Sequence, residues 1–91
     1  MKESTIKIRP ETLRPASKWE QADKDEVREI LRLAGLTGGE AGKLLGLTPH
    51  SEKSGAGSRT VRRWTGGQSY IPYPAWALLA YQAGFGIIWV E

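Results

Sequence analysis

The sequence predicts an all-α fold: a compact helical bundle of four to five helices containing a helix-turn-helix, with a flexible N-terminal arm and a short β-prone C-terminal tail. Three observations predict it. Apolar residues recur at helical spacing in several short segments, two of these segments open on capping boxes, and glycines close them. At 91 residues the chain suffices for one domain, expected over residues 17–91 behind an arm of residues 1–16.

In the arm, Pro10 and Pro15 interrupt any helical period, and Thr5-Ile6-Lys7-Ile8-Arg9 alternates like a short strand. The first helix starts after Asp23, whose side chain caps it with Glu26 as the partner three residues on. Val27, Ile30, Leu31 and Ala34 form its apolar stripe, Glu29 and Arg32 face water, and Gly35 ends it. A start nearer Ser17, with Trp19 anchoring an extra turn, is the alternative. Thr37-Gly38-Gly39-Glu40 is the second capping box, opening a short helix that buries Ala41, Leu44 and Leu45 and stops at Gly46. Two glycines in its first turn weaken it by up to about 1 kcal/mol each relative to alanine, which points to close approach of a partner. Residues 48–57 read as a loop. Ser58 is then a cap for a third helix, Arg59–Thr65, with Val61 and Trp64 inward, the arginines on the other side and Gly66-Gly67 at its end. After a second loop, Pro74 suits the first turn of a fourth helix with Trp76, Leu79, Ala80 and Ala83 on one face, Leu78 and Tyr81 off it, and Gly84 as its stop. The tail, residues 85–91, is the most β-prone run and must be packed or paired.

Composition narrows the function classes. With Cys 0 and one histidine, His50, the chain has no disulfide, no thiolate nucleophile and no set of ligands for a metal, so neither a metal nor another cofactor is expected. Ser51 and Ser58 near His50 lack an acidic orienter and an oxyanion loop, so no enzyme is expected. Ser54-Gly55-Ala56-Gly57-Ser58 lacks the Gly-Lys-Ser/Thr of a P-loop and a preceding strand. It serves as a mobile loop or as a nest for a DNA phosphate, and no small-molecule ligand is evident. No apolar run approaches a membrane span or a secretory h-region, so a cytoplasmic protein is expected.

The net charge is only +3, but its distribution is uneven. From Lys53 to Val90 the only charged residues are Lys53, Arg59, Arg62 and Arg63, whereas residues 17–35 mix both signs. Clustered arginines without neighbouring carboxylates suit a polyanion such as DNA; a solvated arginine face is the plainer reading. Single-strand binding would rest on Tyr70 and Tyr73 as stacking platforms.

Two short helices joined by a turn, the second bearing arginines and a buried Val/Trp pair, meet the requirements of a helix-turn-helix. In Glu40-Ala41-Gly42-Lys43-Leu44-Leu45-Gly46-Leu47-Thr48 and Arg59-Thr60-Val61-Arg62-Arg63-Trp64-Thr65-Gly66-Gly67 the chain resembles the lambda-repressor-like (Cro/cI-type) transcriptional regulators, in particular small phage or mobile-element forms. The resemblance covers roughly residues 23–83. It implies that Ala41 lets the two helices touch, and that Leu44, Leu47, Val61 and Trp64 form the core. By the same resemblance Ser58, Arg59, Arg62 and Arg63 face bases and Thr37, Gly38 and Gly39 meet the DNA backbone; Lys43, Lys53, Thr60 and Gln68 are further expected backbone contacts. The connection between the two helices is about nine residues longer than the compact turn usual in such proteins.

The resulting expectation is a sequence-specific regulator of transcription, most simply a repressor, bound as a homodimer to a palindromic operator on double-stranded DNA with half-sites about 34–36 Å apart. Ile87, Ile88, Trp89 and Val90 are the expected dimer interface, with Ile6 and Ile8 adding a strand; burial within the monomer is the rival. The alternative function is a protein-interaction or RNA-binding helical module of a mobile element.

Overall fold

A computed structural model describes residues 8–47 and 56–90, the side chains of 56–58 excepted. Within these residues the chain is helical with no strand: 3-10 turns at Pro10–Thr12 and Ala16–Lys18, then α1 (Lys24–Ala34), α2 (Gly38–Leu44), α3 (Ala56–Thr65) and α4 (Tyr73–Gln82). Most of the strand expected at residues 5–9, the greater part of the loop at 48–57 with His50 and Lys53, and the side chain of Ser58 lie outside the described residues.

Local chemistry sets the helix ends. Asp23 accepts from the Glu26 amide at 2.8 Å and Glu26 returns the bond to the Asp23 amide at 2.9 Å, completing the first capping box. Thr37 and Glu40 do the same for α2 at 3.1 and 2.9 Å. Every α-helix ends with a left-handed glycine (Gly35, Gly46, Gly67, Gly84), and the amide of the residue after it reaches back to an orphan carbonyl. Gly67 is the most constrained: at φ +82° a side chain is strained, and a Cβ would lie 3.0 Å from Cδ of Lys24. Gly67→Ala is therefore expected to cost about 1–2 kcal/mol, seen as a drop of roughly 4–15 °C in Tm.

The third helix begins at Ala56, so Ser58 lies in its first turn and is not its cap. Alanine is the strongest helix former, and no proline stops the helix from extending back. The extra turn proposed near Ser17 is a separate 3-10 turn: Trp19 returns to extended backbone and packs edge-on against Tyr73, ring centroids 5.2 Å apart.

The core joins Val27, Ile30 and Leu31 of α1, Ala41 of α2, Val61 and Trp64 of α3, and Trp76, Ala77, Leu79 and Ala80 of α4, with Ala22, Ile71 and Ile88. Leu44, expected in this core, is exposed, and Leu45 and Leu47 pack at its edge. A seven-residue helix has one buried stripe, and Ala41 with Gly42 takes it.

The described part of the expected arm, residues 8–16, lies against the bundle. The Arg9 guanidinium donates from Nε to Oε2 of Glu26 at 2.8 Å and from a terminal nitrogen to Oε1 at 3.0 Å, while the Arg9 amide donates to Oε2 at 3.0 Å. The buried carboxylate that caps α1 thus also holds this segment. Thr12 is wholly buried and its carbonyl accepts from the Trp76 indole at 2.6 Å; the Tyr73 hydroxyl donates to the carbonyl of Arg14 at 2.9 Å. Ile8 packs on the protomer's own core and is not in a strand.

Burial opposes ionisation of Glu26, but the bonds from Arg9 and the backbone amides prevail and hold its pKa below the ordinary 4.5. A depressed native pKa adds stability that is complete above the unfolded value and is lost as pH falls through the native one. Acid titration should therefore lower Tm from about pH 4.5 downward, more steeply in the native chain than in Glu26→Gln. Parallel profiles would remove Glu26 from the account.

Candidate nucleic-acid interface

Helix α3 presents two opposed faces. Val61 and Trp64 are buried in the core, while Arg59, Arg62 and Arg63 are exposed. At about 100° per residue, the three arginines span roughly 100° of the helix surface, opposite the Val/Trp pair. Burial on one side therefore orients the cations on the other.

Helix α2 is the principal support of α3. Ala41 is fully buried and Gly42 is buried beside it, which lets the two backbones approach. Beyond Leu44 the turn closes with Gly46 at φ +74° and the Leu47 amide on the Gly42 carbonyl at 2.8 Å. On the outer side, Thr37, Gly39 and Lys43 are exposed and Gly38 is half-buried. Among the described residues a Cβ on Gly39 would meet only Oγ1 of Thr37, at 3.9 Å, so no contact with them requires glycine there.

At the C-terminal end of α3 the chain folds back, the amides of Gln68 and Ser69 both donating to the Arg63 carbonyl at 2.9 and 3.2 Å. Gln68 is thereby held exposed next to the arginine stripe, and Thr60 is half-buried. The two aromatics considered as single-strand platforms separate: Tyr70 is 77% exposed, but Tyr73 is engaged by Trp19 and by the carbonyl of Arg14. Lys53 lies outside the described residues, and the base-facing role expected of Ser58 concerns a side chain that is also outside them.

The residues expected at a dimer contact also part company. Ile88 is 6% exposed and belongs to the protomer's core, while Ile87, Trp89 and Val90 are 51%, 44% and 66% exposed. Ile88 anchors the tail, and the turn at residues 88–89 leaves Ile87, Trp89 and Val90 outward. The run is uniformly apolar in sequence, so nothing local distinguishes Ile88 from its neighbours.

Among the described residues no group of three or more His, Asp or Glu side chains is placed to hold a metal, and no helix is long and apolar enough to cross a membrane. Neither a family model nor a solved structure matches the chain. Among curated proteins, the transcriptional repressor protein KorC of Escherichia coli is 57% identical over 84 residues, covering 92% of each chain. A second Escherichia coli KorC is 54% identical over 86 residues, covering 94% of each. Identity at this level across nearly the full length of both chains means that the protein belongs to the KorC family of transcriptional repressors.

Proposed function

We propose that the protein represses transcription by binding a palindromic operator as a homodimer, with α3 in the major groove of duplex DNA in the manner of the lambda-repressor-like regulators. The arginine stripe of α3 carries this reading. Three guanidinium groups share an exposed helix face whose opposite side is locked in the core. Guanidinium bonded to O6 and N7 of guanine is the commonest specific contact in the major groove. Arg59 and Arg63 read base edges with Ser58, and Arg62 is shared between bases and backbone. Thr37, the Gly38 and Gly39 amides, Lys43, Lys53, Thr60 and Gln68 meet phosphates or sugars, which set register without reading sequence. The domain of residues 17–91 binds DNA behind the arm of residues 1–16, whose described part, residues 8–16, packs on the bundle.

Titrating the protein with its operator and with unrelated duplexes over a range of salt tests this. Affinity should fall linearly in log–log form as salt rises, by a slope that reflects the phosphates neutralised. Lys43→Ala should weaken binding to all sequences alike and reduce the slope by about 1. Binding that is indifferent to salt would overturn the DNA reading and favour a protein-interaction module.

A further inference from the structure

The chain has no charged residue between Arg63 and Glu91, and this neutral stretch contains α4 and the tail. Along the outside of α4, Tyr73, Pro74, Ala77 and Leu78 share one stripe, and Trp89 folds beside them to wall an open, apolar groove of about 290 Å³. Of its walls Leu78 and Trp89 are substantially exposed, and on the same helix and tail so are Tyr81, Phe85, Ile87 and Val90. At the areas usual for such side chains they leave on the order of 500 Å² of apolar surface in water, toward the upper end of the roughly 300–600 Å² of the largest patch on a typical monomer, which is often functional.

We infer that this groove is the dimer contact, and that its occupant is the same face of a second copy of the chain. The inference deepens the proposed homodimer by placing its contact on α4 together with the outward side of the tail. A second copy fits for three reasons. Residues 64–90, which supply the groove and the tail beside it, carry no charge, so they bring no ion to be desolvated when two copies meet. The exposed apolar area approaches the roughly 800 Å² that each partner contributes to a stable interface, leaving a polar rim for the remainder. The tail that supplies the groove's Trp89 wall is tied to the core by buried Ile88 and leaves Ile87 and Val90 exposed and apolar, side chains that a self-complementary two-fold contact can bury. Helix α4 meets the bundle chiefly through α1, and α3 packs mainly on α2, which leaves the arginine stripe and the α4 groove as separate surfaces.

Light scattering of the whole chain at micromolar concentration, with and without substitutions, tests this. The native protein should show twice the 10.1 kDa chain mass, and Leu78→Glu should return to 10.1 kDa with an unchanged helical circular dichroism spectrum. Leu33→Glu, on the exposed side of α1 and also at a partly exposed leucine, should stay dimeric. On DNA, Leu78→Glu should bind an isolated half-site like the native protein but lose about 100-fold on the palindrome, the loss expected when two sites are no longer linked. A native mass of 10.1 kDa across the concentration range, or a folded Leu78→Glu that remains dimeric, would overturn the assignment. If the masses follow expectation but no duplex is bound, the dimer contact stands and the DNA-binding reading falls.

Discussion

Changing Arg59, Arg62 and Arg63 together to alanine should abolish operator binding while leaving the helical fold intact. All three are exposed and alanine is the better helix former, so stability should change little. The formal net charge falls from +3 to zero, and the whole basic content of α3 is removed. A bidentate base contact contributes about 1–3 kcal/mol of discrimination, and each lost phosphate contact lowers the salt slope by about 1. Three such losses together amount to roughly 3–9 kcal/mol if they act independently, or at least a hundredfold in affinity. The single changes should differ in kind: Arg59→Ala or Arg63→Ala should relax preference at one or two base pairs, whereas Arg62→Ala should also weaken binding to unrelated duplexes. Titration of operator and scrambled duplex by fluorescence anisotropy measures all of these. A folded triple variant with native affinity would end the assignment of α3 as the reading helix.

The largest expected effect on stability is at Trp76. Its side chain is wholly buried and its indole donates to the carbonyl of Thr12, so Trp76→Ala removes the biggest core residue and leaves a buried acceptor unpaired. Truncating a buried tryptophan costs about 3–5 kcal/mol, and the orphaned carbonyl about 1–3 more. For 91 residues the total stability is on the order of 5–14 kcal/mol, so the variant should be largely unfolded or melt tens of degrees lower. Trp76→Phe keeps most of the volume and loses the bond, and should fall between the two. Thermal denaturation followed by circular dichroism decides it, and a loss below about 2 kcal/mol in Trp76→Ala would refute the central place given to this residue.

Both predictions bear on what a reading of the chain alone can reach. The Asp23/Glu26 and Thr37/Glu40 boxes, the terminating glycines and the arginine stripe of α3 were all legible, because each depends on residues within one or two turns of one another. α3 starts three residues before the expected Arg59: serine is a strong cap signal, and sequence offers nothing to weigh against it when the helix extends back to Ala56. Leu44 was assigned to the core by its position in a periodic pattern, although a helix as short as α2 buries only the stripe facing α3.

Helix positions, their caps and the outward placement of the arginines were thus determined by the sequence itself, since backbone hydrogen bonding and side-chain period act locally. The tertiary structure decided what joins distant segments. Arg9 meets Glu26, Thr12 meets Trp76, Arg14 meets Tyr73 and Gln21 meets Ile71 across separations of 17, 64, 59 and 50 residues. It also decided that Ile88 enters the core while Ile87 and Trp89 do not. No local period reports such contacts. A carbonyl or a guanidinium can pair with many partners, and the choice among them is made only when packing brings two particular surfaces together and excludes water from between them.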